Sequence, residues 1–294
     1  MLLPELEYVR PSSVTEAVGL LNSLPDAGLL AGGQSLINVL KMRIGGYRTL
    51  IDISGLAELA VIDHAQGHLR IGAGVTYDQL IHSAAVSLYR PILSEVAARI
   101  ADQQVRNRGT IGGNCCYNDP TCHFPPILSA VGASFEILGT EGRRTVSADE
   151  FFVSYYQTAL NPGEMLVAIE VPEARPRSGD AFVPLSVGGT DVLNVVTGAA
   201  SVLLAEDGSI RDARIVVSGV AERPLRIAAV EQALLGTRGD GDALDAAFRL
   251  WDGNQLTPPD DVHASGEYRL AMAPVFARRA VEEALVKARR DFDE

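Results

Sequence analysis

The sequence is short of the residues that several classes of function require. Its 294 residues hold 25 lysines and arginines against 37 aspartates and glutamates, a formal charge of -12. Non-specific binding to nucleic acid or anionic lipid depends on a surplus of cations, so neither partner is expected. An anionic ligand must be met locally, as by the backbone N–H groups of a Gly-rich turn. The three cysteines, Cys115, Cys116 and Cys122, lack the spacing of a four-ligand zinc or iron–sulfur site. An odd, small count also argues against a secreted disulfide framework. His64, His68, His82, His123 and His263 are scattered without acidic or thiol companions at ligand spacing, so no metal site is expected. No apolar run is long enough to span a bilayer, and Met1 to Glu5 has neither a basic nor an apolar leader region. The expectation is a cytoplasmic protein without membrane insertion. There is no Ser-His-Asp order, no H-E-x-x-H and no demanding carboxylate pair, so no catalytic residue is assigned.

What is present is an ordinary globular composition, 47% hydrophobic and 21% charged, over a length that suggests two domains. Ser13 to Glu16 reads as a capping box for a helix whose face carries Val14, Ala17, Val18 and Leu21. Leu29 to Ala31, a Gly-Gly turn, a helical run from Leu36 to Met42 and Leu50 to Ile53 form a small βαβ-like unit. Further strands are expected at His68 to Ile71, Ser134 to Leu138 and Met165 to Val171. Helices are expected from Thr76, in a second capping box with Gln79, and from Leu93 to Ala101. The Pro-rich stretch Pro172 to Gly179 reads as a linker. Beyond it, Thr197 to Ala205 and Ala213 to Val220 read as strands joined at Asp207-Gly208. Helices follow at Ile227 to Leu235, Ala243 to Leu250 and Tyr268 to Lys287, with Pro274 as an expected kink.

Two glycine motifs carry the chemistry. The first, Ala31-Gly32-Gly33-Gln34-Ser35-Leu36, lies between an apolar run and a helix, where paired glycines admit a ligand close to the main chain. It is neither a P-loop nor a G-x-G-x-x-G fingerprint, and a plain chain reversal is its other reading. The second, Arg106-Asn107-Arg108-Gly109-Thr110-Ile111-Gly112-Gly113-Asn114, reads as a second Gly-Gly turn with a hydroxyl and a carboxamide at its tip. Two such turns, well separated in sequence, fit a long bent ligand gripped at both ends, its pyrophosphate between them.

With these motifs, the chain resembles the FAD-binding medium subunit of molybdenum hydroxylases, the carbon monoxide dehydrogenase and xanthine dehydrogenase group. Tyr8 to Pro11, Ile71 to Thr76, Gly163 to Leu166 and Glu267 to Val281 extend the resemblance over nearly the whole chain. It implies an α+β chain: an FAD-binding domain of the vanillyl-alcohol oxidase (PCMH) type at 1–174, with subdomains of about 1–55 and 56–174. A small antiparallel sheet with helices, of the CO dehydrogenase flavoprotein C-terminal type, follows at 180–294. It also implies that Ala31, Gly32, Gly33, Gln34, Ser35 and Leu36, with Thr110, Ile111, Gly112, Gly113 and Asn114, contact the FAD pyrophosphate and ribityl chain. Ile100 and Ala101 would lie near the adenosine and Leu166 at the flavin ring, with Tyr117, Asp119 and His123 as further candidates.

There are departures from the family pattern. His123 stands where many members have an acidic residue; it is read either as a neutral acceptor for FAD hydroxyls or as a plain loop residue. Ser186 to Asp191 lacks the basic group that relatives carry beside the flavin, where a cation would stabilise the reduced anion.

The resemblance further implies an electron-transfer role. Substrate is oxidised at a molybdenum cofactor on a large subunit, and electrons cross 2Fe-2S clusters on a small subunit to FAD here, in an expected dimer of heterotrimers. The substrate stays open among carbon monoxide, aldehydes, purines and N-heterocycles, and the acceptor among NAD, oxygen and a quinone. Two other readings stay open: a self-sufficient flavin oxidase or reductase of the same superfamily, and an interaction subunit without flavin.

Overall fold

The computed structural model describes residues 3–186 and 193–290. Strand β1 (Glu7–Val9) is followed by helix α1 (Val14–Ser23), which buries Val14, Ala17 and Val18. The Ser13 hydroxyl accepts the Glu16 N–H as a cap. The Glu16 carboxylate takes the N–H and hydroxyl of Ser12 instead of the Ser13 N–H, so the reciprocal arm of the expected box sits one residue earlier. Strand β2 (Ala27–Leu30), helix α2 (Leu36–Lys41) and strand β3 (Thr49–Asp52) form the expected β-α-β unit. The three strands pair in parallel in the order β1-β3-β2. All four residues of the central β3 are buried, as a strand covered on both faces requires.

Strands β4 (Ile62–Ala65) and β5 (His68–Gly72) form a hairpin, and helix α3 (Tyr77–His82) starts from a complete Thr76–Gln79 capping box. Four more short helices follow: α4 (Ala84–Tyr89), α5 (Ile92–Ala98), α6 (Gln103–Arg106) and α7 (Ile111–Tyr117). Next come α8 (Phe124–Ala130), β6 (Ser134–Gly139), β7 (Gly142–Ser147), α9 (Ala148–Phe151), the short strands β8 (Phe152–Ser154) and β9 (Gln157–Thr158), and β10 (Met165–Pro172). A five-stranded sheet runs β4-β5-β10-β6-β7.

Strand β11 (Ser178–Ser186) begins inside the stretch read as a linker, so only Glu173 to Arg177 separate it from β10. Gly179, Asp180 and Pro184 interrupt its apolar pattern, which hid it in the sequence. It pairs with β12 (Asn194–Leu204), which pairs through the Asp207-Gly208 turn with β13 (Ile210–Ser218), and β14 (Leu225–Arg226) closes the sheet. Helices α10 (Ala228–Leu234), α11 (Gly241–Phe248) and α12 (Gly266–Arg290) complete the chain, and α12 is a single helix through Pro274. It lies on β11 and β12 with Ala273, Ala277, Ala280, Ala284 and Ala288 all buried.

The chain forms two compact units. The first comprises the segment up to Tyr117 with Ser134–Phe151 and Tyr156–Val171; the second comprises Asn118–Ala133, Phe152–Tyr155 and the chain from Pro172 onward. Helix α8 therefore belongs to the second unit, where it packs on β12 and β13. Among the described residues, no helix is long and apolar enough to cross a membrane.

Candidate functional site

The first glycine motif is the loop between β2 and α2. Gly33 has φ = +72°, a left-handed conformation that glycine adopts at little cost. Gly32 is glycine for a different reason: a Cβ there would stand 2.0 Å from the Arg108 carbonyl oxygen. The second motif thus passes directly against the first. Within the loop, Ile37 N–H donates to the Gly33 carbonyl and Gln34 Nε2 to the Gly32 carbonyl, whereas the N–H groups of Gly33, Gln34 and Ser35 meet no acceptor among the described residues. Ser35 begins α2 without using its hydroxyl as a cap.

The second motif is not the turn its glycines suggest. Gly112 and Gly113 lie in the first turn of α7, with φ outside the left-handed region. Its N-terminal donors are already spent: Ile111 N–H on the Val75 carbonyl, Gly112 N–H on the Ala73 carbonyl and Gly113 N–H on Thr110 Oγ1, each at 3.0 Å. Close approach explains the glycines, since a Cβ on Gly112 would stand 2.4 Å from the Ala73 oxygen. What this motif turns outward is therefore side chain and Cα surface. Asn114 Nδ2 donates to the Tyr77 hydroxyl at 3.1 Å, fixing both groups.

The two motifs enclose a cavity of ≈ 280 Å³. Ala31 to Leu36 form one side of it, and Thr110, Gly113, Asn114 and Tyr117 the other. Leu29, Val39, Tyr47, Tyr77, Gly109 and Cys116 complete it, so among the described residues no Asp, Glu, Lys, Arg or His lines it. Burial pushes the Cys116 thiol up to about 12, which leaves negligible thiolate at neutral pH and makes it a poor nucleophile. Tyr117 packs edge-on against Tyr156 at 5.2 Å.

Ala31 to Gln34 also border a second cavity of ≈ 420 Å³, and here the lining is charged: Lys41, Arg108 and Asp52, with Tyr8 and Asn38. Tyr8 donates its hydroxyl to the Asp52 carboxylate, and Arg10 lies 3.4 Å from the same group. Burial alone would raise the Asp52 carboxyl, but hydrogen bonds from Ser54 and Tyr8 and the charge of Arg10 outweigh it, holding the group below its ordinary value. The hydrogen bond to Asp52 raises the Tyr8 phenol. Asp52 is thus already compensated, which leaves Lys41 and Arg108 as the cations facing this cavity.

The remaining sequence candidates lie outside these two linings. Ile111 is fully buried, and Leu166 is buried in β10 opposite Ile137. Ile100 and Ala101 present their carbonyls to Arg106 Nη1 at 3.0 and 2.7 Å, and Ala101 takes a positive φ of 42°. Asp119 and His123 belong to the second unit. There, Asp119 accepts from the Thr121 N–H and hydroxyl, while His123 stacks on Phe182 with Nδ1 3.4 Å from the Asn194 amide. Val187 to Asp191, where the missing basic group was noted, lies outside the described residues. Tyr47, Tyr77, Cys116 and Lys41 escaped the sequence reading. The only hint for Tyr47 is the Gly45-Gly46 pair before it.

Comparison with known proteins bears on this arrangement. Residues 4–174 match the family described as FAD binding domain in molybdopterin dehydrogenase, and residues 189–284 match CO dehydrogenase flavoprotein C-terminal domain. The chain is 37% identical to the carbon monoxide dehydrogenase medium chain of Afipia carboxidovorans, over 98% of this chain and 100% of the relative. It is 31% identical to the nicotine 6-hydroxylase medium subunit of Paenarthrobacter nicotinovorans, over 97% and 99%. A solved carbon monoxide dehydrogenase structure from Hydrogenophaga pseudoflava superposes with a TM-score of 0.93 at 38% identity, covering 98% of this chain and 99% of that one.

Proposed function

This chain belongs to the family of FAD-binding medium subunits of molybdenum hydroxylases, and we propose that it holds one FAD non-covalently and relays electrons within such a complex. It is the flavoprotein subunit of an oxidoreductase. Electrons come from the iron–sulfur clusters of a small partner subunit, after substrate is oxidised at the molybdenum cofactor of a large one, and leave to an external acceptor. The assembly is a cytoplasmic dimer of heterotrimers.

The observation that carries this reading is the meeting of two distant glycine motifs around a cavity without formal charge, beside a second cavity bearing Lys41 and Arg108. FAD has that division of chemistry, with planar rings and polyols joined by a diphosphate, and when bound it supplies one- and two-electron redox capacity. The backbone N–H groups of Gly33, Gln34 and Ser35 would hold the diphosphate, with Lys41 and Arg108 supplying counter-charge in a chain of net -12. The side chains of Ser35, Thr110 and Asn114 would hold its hydroxyls. Ile100 and Ala101 are assigned to the adenosine end and Leu166 to the flavin end on the family pattern.

The test is to purify the full chain with and without candidate large and small partners and follow flavin reduction after adding carbon monoxide, an aldehyde, a purine or an N-heterocycle. Reduction only in the reconstituted complex is expected; substrate-driven reduction by the chain alone would overturn the reading. Acid precipitation should release the flavin, because among the described residues no histidine lines the cavity and burial raises its one thiol, Cys116. A pellet that stays yellow contradicts non-covalent binding.

A further inference from the structure

Tyr47 lies in the connection between α2 and β3. The residue is 39% exposed. One face of its ring rests on the β2 backbone, where a Cβ on Gly28 would stand 2.7 Å from Cδ1, 2.9 Å from Cε1 and 3.1 Å from Cγ. The opposite edge faces Gly45, whose Cβ would come within 3.6 Å of Cδ2 and Cε2. The ring is thus seated on the Gly28 backbone by one face, and Val39 Cγ1 stands with it at the Gly45 side, 3.7 Å from the same prospective Cβ. The ring lines the uncharged cavity beside Leu29, Val39 and Tyr117.

A half-exposed aromatic ring, seated by one face on backbone at the wall of an uncharged cavity, offers its other face at low conformational cost. Planar heterocycles stack on such faces with little dependence on which ring is offered. We propose that Tyr47 is a binding residue that stacks one planar ring of the bound dinucleotide, and that this contact adds affinity independently of the diphosphate. The inference rests on the flavin reading of the same cavity. Adenine and isoalloxazine share the chemistry involved, and separate probes distinguish them.

The experiment uses the full chain stripped of flavin and measures equilibrium dissociation constants for FAD, ADP and FMN with wild type, Tyr47→Ala, Tyr47→Leu and Tyr47→Phe. Tyr47→Ala is expected to weaken FAD binding about tenfold, and Tyr47→Leu, which keeps the apolar bulk but loses the π-face, by a similar factor. Tyr47→Phe should bind like wild type. Weakened ADP binding assigns the ring to adenine, and weakened FMN binding to isoalloxazine. Unchanged FAD affinity in both Tyr47→Ala and Tyr47→Leu, or a loss in Tyr47→Phe equal to that in Tyr47→Ala, would overturn the stacking role. So would weakened FAD binding with ADP and FMN both unaffected. A wild-type chain that binds no FAD overturns the flavin reading itself, a result separable from these.

Discussion

At Gly33, backbone and ligand make the same demand. The left-handed φ of +72° disfavours any β-branched residue by about 1–2 kcal/mol, and Ile37 and Leu30 already crowd a prospective Cβ at 3.2 and 3.3 Å. Gly33→Val is expected to raise the FAD dissociation constant at least about tenfold, since 1.4 kcal/mol is a factor of ten. Gly113→Val should do the same by displacing Thr110 Oγ1, which a Cβ would meet at 2.9 Å. Trp251, the single tryptophan, sits against the core of the second unit and should keep its emission in both variants. Full flavin occupancy would make either glycine structural only. Glu164 gives a pH prediction. The Arg144 guanidinium and the Asn161 N–H hold its carboxyl at about 2, below the ordinary 4.5. A depressed acid stabilises the fold above its unfolded value and loses that contribution as pH falls from 4.5 towards about 2. Glu164→Gln should therefore cost roughly 1–3 kcal/mol at pH 7. In urea unfolding followed by circular dichroism, the gap to wild type should narrow steadily below pH 4.5. A gap that stays constant with pH would dissociate the pair from stability.

Elements were legible where local chemistry alone decides them. The Thr76–Gln79 box, the Ser13 cap and the β2-α2-β3 unit follow from hydroxyl and apolar spacing, and the structure places them within a residue or two of expectation. Helix α7 was hidden because glycine is the poorest helix former after proline, and the reasons for its two glycines are contacts the sequence does not show, Ala73 at Gly112 and Thr110 Oγ1 at Gly113. Strand β11 was hidden because its burial comes from α12, more than eighty residues later. That packing makes a prediction of its own. A Cβ on Gly198 in β12 would stand 2.2 Å from the Phe276 carbonyl oxygen, so helix and sheet approach to backbone distance. Gly198→Val should destabilise the second unit by about 1–3 kcal/mol through overpacking. The thermal transition reported by Trp251 emission should move down by several degrees. An unmoved transition would mean that α12 can lift from the sheet at little cost.

At the scale of the whole molecule, the two-domain organisation was legible, but the path of the chain between the compact units was not. A reader of the sequence cuts once, near the Pro-rich stretch at 174. The units instead exchange segments, because α8 is apolar on every side, and Phe124, Ile127 and Leu128 are fully buried. A helix without a polar face has to find cover all round, and for α8 that cover includes β12 and β13, which lie beyond the cut. His123 leads into this helix and is held by Asn194 of β12 and by Phe182 of β11. Its environment is thus set by strands that a sequence-based FAD domain would omit. The consequence is measurable in a fragment of residues 1–174. Leaving three such side chains exposed costs about 1.5–3 kcal/mol each, a sum comparable to the whole stability of a typical domain. The fragment should bind a hydrophobic dye, aggregate at micromolar concentration and hold FAD poorly, while the full chain does none of these. Leu128→Asp in the full chain should reproduce part of the effect. A monomeric, cooperatively folded 1–174 fragment with full-length affinity for FAD would show that α8 finds adequate cover without the second unit's sheet.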